Sequence, residues 1–235
     1  MQDNLPQVIT IDGPAASGKS TVGLMLAKRL GYLYLDTGSM YRALTLRALE
    51  RGVSPQDGAA LGQLAVEMDL DVVPAGDATD GRHYTAMLDG RDVTWDIRSP
   101  EVDAAVSAVS SHLEVREEMV RRQRAFARRG RVVMVGRDIG TVVCPDAPLK
   151  LYITATAEQR ARRRWRDRQQ QGHADDYEVI LADVIRRDKI DSTREHSPLR
   201  AAADAVSIDS SERSPESIVE TILIMVTGDP SGAKH

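Results

Sequence analysis

The 235-residue sequence predicts an α/β fold, a parallel sheet with helices on both faces, and three observations carry that prediction. Five short apolar runs read as buried strands: Val8–Ile11, Tyr32–Leu35, Val132–Val135, Leu149–Thr154 and Ala205–Ile208. Stretches with helical spacing separate most of them, at about 18–30, 38–51, 56–68, 111–129, 157–171, 175–188 and 214–227. The first run continues through GPAASGKS, Gly13–Ser20, straight into a helical pattern, so strand, glycine loop and helix stand in register.

That first element is the most specific. Gly13 and Gly18 let the backbone of Pro14, Ala15, Ala16 and Ser17 wrap an anion, with the helix start at Lys19, Ser20 and Thr21 behind it. Lys19 reaches β- and γ-phosphates, and the Ser20 hydroxyl suits Mg²⁺. The motif predicts a nucleoside triphosphate without saying what it is used for.

The second run ends on Asp36, at the carboxyl edge where ligands of open α/β sheets bind. With Ser20 it is the candidate metal ligand. Thr37, Tyr41 and Arg42 follow at the entry to a helix and could hold a second phosphate. Equally, Thr37 could be a helix cap and Tyr41 a core residue. From about 70 to 97 the rhythm changes. The runs LDVVP, HYTAML and DVTWDI, with an Asp89-Gly90 turn, predict a small antiparallel module inserted between helices.

The third run opens VVMVGRDIGTVV and puts Arg137 and Asp138 at the mouth of the sheet, as ligand groups or as a surface ion pair. After the fourth, six arginines crowd Arg160–Arg168, with Arg160, Arg164 and Arg168 on one helix face and Arg163 at its border. Asp167 is the only acid within that cluster. It reads either as a solvated face or as a lid over a triphosphate, hinged at Gly172. RRDKIDSTREHSPL then adds Arg187, Asp191 and Arg194.

Composition narrows the classes. Lys plus Arg total 31 against 35 Asp plus Glu, a net charge of -4. Yet 26 of the 31 bases are Arg, and 16 of those lie between Arg116 and Arg187. Arg matches phosphate oxygens bidentately, so local density points to phosphate although net charge does not. Ordinary hydrophobic and charged fractions, 42% and 28%, exclude disordered, collagen-like and disulfide-scaffold chains. The single cysteine, Cys144, forms no internal disulfide and reads as packing, and a reducing cytoplasm is expected. No membrane helix or signal peptide is predicted. The negative charge and lack of a reader motif argue against nucleic-acid binding. The five histidines are scattered and predict no metal site.

Together, DGPAASGKST, LDTGSMYRAL, GRDIGTVVCPDAPLKLYI, RDKIDSTREHSPL and DAVSIDSS resemble the bacterial cytidylate kinases, in order and over most of the chain. The resemblance implies a P-loop kinase with a five-stranded parallel sheet flanked by helices, a small antiparallel β insertion and an Arg-rich lid. It implies a core of 1–37, 98–156 and 174–227, a nucleoside-monophosphate region of 38–97 and a lid of 157–173, while GDPSGAKH at 228–235 reads from its own residues as a loose tail. It also implies transfer of the γ-phosphoryl of ATP, with Mg²⁺, to CMP and dCMP by a cytoplasmic monomer. Thr37, Tyr41, Arg42 and Arg137 would hold the acceptor phosphate. Asp138, Arg116 and Arg194 would lie at cytosine, and Ser107, Arg187 and Asp191 near the nucleoside. Arg160 and Arg164 would reach the transferring phosphoryl group. One departure is Val135, where relatives often have Asp before GRD. The alternatives are a P-loop kinase for another nucleotide or small metabolite, an Arg-rich nucleic-acid binder and a P-loop switch protein.

Overall fold

The computed structural model describes positions 5–170, 172 and 174–228. The expected tail past Gly228, and Gln171 and His173 of the expected lid, lie outside the described residues. The chain forms two compact units, one of Leu33–Gly130 and one of the segments before and after it.

In chain order, β1 (Val8–Asp12) leads through the glycine loop into α1 (Lys19–Leu30), and β2 (Leu33–Asp36) into α2 (Gly38–Glu50) and α3 (Gly58–Glu67). Strands β3 (Leu70–Pro74), β4 (Tyr84–Leu88) and β5 (Arg91–Asp92) precede α4 (Pro100–Val109) and α5 (Leu113–Ala127). Then come β6 (Val132–Gly136), β7 (Leu149–Thr154), α6 (Ala157–Gln170), α7 (Tyr177–Thr193), β8 (Val206–Asp209) and α8 (Pro215–Thr227).

The main sheet has the order β2-β6-β1-β7-β8. Parallel pairing sets Ile9 beside Val133 on β6 and Leu149 on β7. All five residues of β6 and the last four of β1 are buried, as a sheet covered on both faces requires. The fold class predicted from the apolar runs is therefore the fold observed, with each strand within about one residue of its run. Strand ends gather the chemistry: Asp12 closes β1, Arg137 and Asp138 follow β6, and Ser210 follows β8.

The inserted module is the antiparallel sheet β3-β4-β5. Asp89 and Gly90 both take positive φ, 49° and 75°, the pair a type I′ hairpin turn demands. Its third strand is shorter than DVTWDI suggested. Val93 donates its amide to Ala86, Thr94 turns its hydroxyl to accept from the Ala86 amide, and the chain enters a 3₁₀ turn at Asp96–Arg98.

Two helices depart from expectation. Nothing predicted α4, although Ser99 accepts from the Val102 amide as its N-cap and Pro100 starts it with Glu101 and Asp103 in the first turn. Helix α7 runs five residues past the predicted 188, because no breaker intervenes before Arg194 turns extended (ψ 143°). That extension places Asp191 on a helix, one turn beyond Arg187.

Candidate active site

The glycine loop is shaped by close approach. A Cβ on Gly13 would sit 2.0 Å from the Ile153 carbonyl oxygen on β7, and Gly18 takes φ 83° at the start of α1. Ala16 is left-handed too (φ 58°), which costs an L-residue about 1 kcal/mol and needs outside support. Lys19, only 6% exposed, donates from Nζ to the Pro14 carbonyl at 3.0 Å. The amine thus folds back over the loop it serves.

Beside the loop is a cavity of about 410 Å³ lined by Ala16–Val22, Arg163, Asp167, Ser210, Arg213, Pro215 and Ile218. Arg163 donates to the hydroxyl and carbonyl of Ser210, whose hydroxyl donates to the Ser17 carbonyl at 2.9 Å. The wall opposite the loop is therefore tied to it. Ser210, Arg213, Pro215 and Ile218 were not predicted; Ser210 lay within DAVSIDSS, and the others carried no phosphate signal.

Asp12 was missed as well, although it ends a strand just as Asp36 does. Its carboxylate accepts from the amides of Ile139 and Gly140 at 2.8 and 2.7 Å, fixing the turn after β6. Burial pushes its carboxyl up to about 6, against the pull of those amides and of Lys19, with Asp138 adding to the rise.

The arginine face of α6 meets a run of acids. Arg160 pairs with Asp188, Arg164 with Asp183 at 3.5 Å and Arg168 with Asp175. Partner numbers fall as arginine numbers rise, so α6 and α7 run antiparallel. Ala161, Trp165, Ile180 and Val184 pack between them. The anions that the clustered arginines require are thus the protein's own. Gly172, the expected hinge, turns with φ 83°.

Arg160 is 4% exposed, with four of its five N–H donors engaged. Its Nε donates to the Ala155 carbonyl at 3.0 Å, and its Nη1 to the Ala15 carbonyl at 3.2 Å and to Asp188 at 2.9 Å; Nη2 completes the bidentate pair with Asp188.

Further along α7, the Arg137 Nε donates to Asp191 at 2.8 Å. Burial pulls the Asp191 carboxyl upward, yet Arg137, Arg194 and Lys19 hold it below the usual carboxylate range. Arg194 lies 3.8 Å from buried Asp138, and Arg187 3.8 Å from Asp183. Arg137, Asp138, Asp191 and Arg194 therefore form one cluster in this unit, with Arg187 one turn before Asp191 on α7 and paired to Asp183.

The Leu33–Gly130 unit assembles the remaining candidates. The Thr37 hydroxyl makes no capping bond; instead the Asp36 carboxylate accepts from the Gly38 amide at 3.0 Å. Buried Tyr41 lies under Arg116, whose guanidinium stands 5.5 Å from the ring centre and donates to the Ser110 carbonyl. Arg42 donates to Asp103 at 2.5 Å and to the Ile97 carbonyl at 3.1 Å. Ser107 is buried on α4, one turn before Ser110.

Residues 9–228 match the cytidylate kinase family. The chain belongs to that family. The cytidylate kinase of Roseiflexus castenholzii is 50% identical over 221 residues, 94% of either chain. That of Mycolicibacterium paratuberculosis is 50% identical over 222 residues, covering 93% of this chain and 94% of its own. That of Bacillus pumilus is 46% identical over 215 residues, 92% and 93% of the two chains. Membership in the cytidylate kinase family fits the unit built on the glycine loop, the inserted three-stranded sheet and the arginine-bearing α6. Among the described residues no helix is long and apolar enough to cross a membrane.

Proposed function

We propose that this chain transfers the γ-phosphoryl group of ATP to CMP, with dCMP as a second acceptor, giving CDP or dCDP and ADP. The observation that carries the reading is the glycine loop with Lys19 folded over it, in a chain of the cytidylate kinase family. Backbone amides of the loop and Lys19 bind the donor phosphates. The cavity beside them takes the nucleoside end of ATP, with Pro215 and Ile218 offering apolar surface to a base and Arg163 a planar cation.

Magnesium takes oxygen donors and usually keeps substrate phosphates and water among its ligands. The Ser20 hydroxyl, in the first turn of α1 beside Lys19, is a donor of that kind. The Asp36 carboxylate already caps α2, so Ser20 is the stronger of the two candidates. When bound, the ion would neutralise charge on the phosphates.

On the acceptor side, Thr37, Tyr41, Arg42 and Arg137 hold the monophosphate. Asp138, Arg116 and Arg194 read the base, and Ser107, Arg187 and Asp191 contact the nucleoside. Asp138 accepts from the cytosine amino group and repels the uracil oxygen in the same place. The attacking phosphate oxygen is already largely ionised at neutral pH, so no general base is required. Catalysis is then alignment plus neutralisation of charge, with Lys19 and Arg164 on the transferring group.

An ATP-consumption assay with CMP, dCMP, UMP and AMP in parallel tests the reading, using wild type and Asp138→Asn. CMP and dCMP should turn over fastest in the wild type, and the preference for CMP over UMP in kcat/KM should fall in Asp138→Asn. Equal use of AMP or UMP by the wild type would instead favour a kinase of another acceptor.

A further inference from the structure

Arg160 spends four of its five N–H donors on acceptors of the protein itself. We propose that Arg160 and Asp188 together form a bracket that holds the glycine loop in its anion-binding shape, making Asp188 a positioning residue for donor phosphate. The proposal rests on the reading of that loop as the ATP-phosphate site.

The geometry runs through a single peptide plane. Arg160 Nη1 takes the Ala15 carbonyl at 3.2 Å. In a trans peptide the carbonyl and the following N–H point in opposite directions. Anchoring the Ala15 oxygen to Arg160 therefore turns the Ala16 N–H away from α6, and Ala16 is the non-glycine residue of the loop with positive φ. A left-handed L-residue persists only where its surroundings over-determine it. Two further side chains bond carbonyls of this stretch, Ser210 to Ser17 and Lys19 to Pro14, and Lys19 must give its bond up to reach a phosphate. Arg160 faces no such demand.

Asp188 fixes the guanidinium. Both of its carboxylate oxygens accept from Arg160, while the Ala155 carbonyl at the β7–α6 junction takes Nε. Three elements thus converge on one planar cation: the strand end before α6, the glycine loop and α7. A lysine, with one flexible nitrogen, cannot satisfy them together. On this assignment Arg160 acts from behind the loop, and the contact with the transferring group falls to Arg164, one turn further along α6.

The test is ADP binding by calorimetry on the full chain, with CMP binding and the melting temperature measured alongside. Asp188→Asn and Arg160→Lys should each weaken ADP about tenfold, equivalent to about 1.4 kcal/mol, with CMP affinity and melting temperature nearly unchanged. Glycine adopts the left-handed conformation without penalty, so in an Ala16→Gly background the same Asp188→Asn change should cost no more than about twofold. Wild-type ADP affinity in both single variants would overturn the proposal. So would an undiminished defect in the Ala16→Gly background, or joint loss of ADP, CMP and thermal stability, which marks a packing role. Lys19→Ala separates the two levels. If it loses ADP while Asp188→Asn does not, only the bracket fails; if it binds ADP like the wild type, the reading of the loop fails first.

Discussion

Arg122 on α5 and Arg160 on α6 both end on backbone carbonyls, yet they serve different parts of the molecule. Arg122 donates to the carbonyls of Ala65, Val66 and Met68, the open C-terminal end of α3, while Glu118 holds its Nε. Arg160 donates to Ala155 and to Ala15 of the glycine loop, while Asp188 holds its other end. Each is a cation that a carboxylate orients and a carbonyl receives. What separates them is the carbonyl: one closes a helix, the other shapes an anion site. Arginine density alone therefore does not mark a phosphate site, and the elements an arginine ties together do.

The comparison can be broken from either side. Arg164→Ala carries the largest expected effect, a fall in kcat on the order of 10²–10³-fold with little change in melting temperature. A comparable loss of stability would place Arg164 with the structural arginines. Next is the acid without an arginine. Asp12 keeps its proton to about pH 6 when folded, whereas an ordinary Asp loses it near 3.8. Between those values the folded state binds more protons, so the Asp12 contribution to stability falls as pH rises from about 4 to 6 and is level above; the full span is on the order of 3 kcal/mol. Melts of Asp12→Asn should show a shallower loss over that window, and an identical pH profile would contradict the account. Arg122→Ala should cost about 2 kcal/mol of stability in chemical unfolding while kcat at low temperature stays within about twofold. Its neighbour Arg121, 67% exposed on the same Glu118, should change stability by less than about 0.5 kcal/mol when truncated.

These contrasts also show what the sequence could convey. Apolar runs revealed the central strands β1 and β6 because strands buried on both faces must be apolar throughout, and GPAASGKS revealed the loop because close approach at Gly13 leaves no room for a Cβ. The Asp89-Gly90 turn was legible for the same local reason. Helix α4 carried a start signal in Ser99-Pro100 and the acids behind them, but the helix it opens has only ten residues. Arginine destinations were not legible. Arg122 finds its carbonyls more than 50 residues away and Arg160 its acid 28 residues away. Both depend on helix packing, which local spacing does not encode. Thr37 shows the converse: its position suggested a cap, and the carboxylate of Asp36 takes that task through Gly38.

The most direct test follows a labelled γ-phosphoryl group of ATP incubated with CMP and either the wild-type or the Lys19→Ala protein. Label should pass to CDP with the wild type and fall by at least about 10²-fold with Lys19→Ala, while CMP affinity is retained. Label released only as inorganic phosphate, or transfer undiminished in Lys19→Ala, would contradict the account.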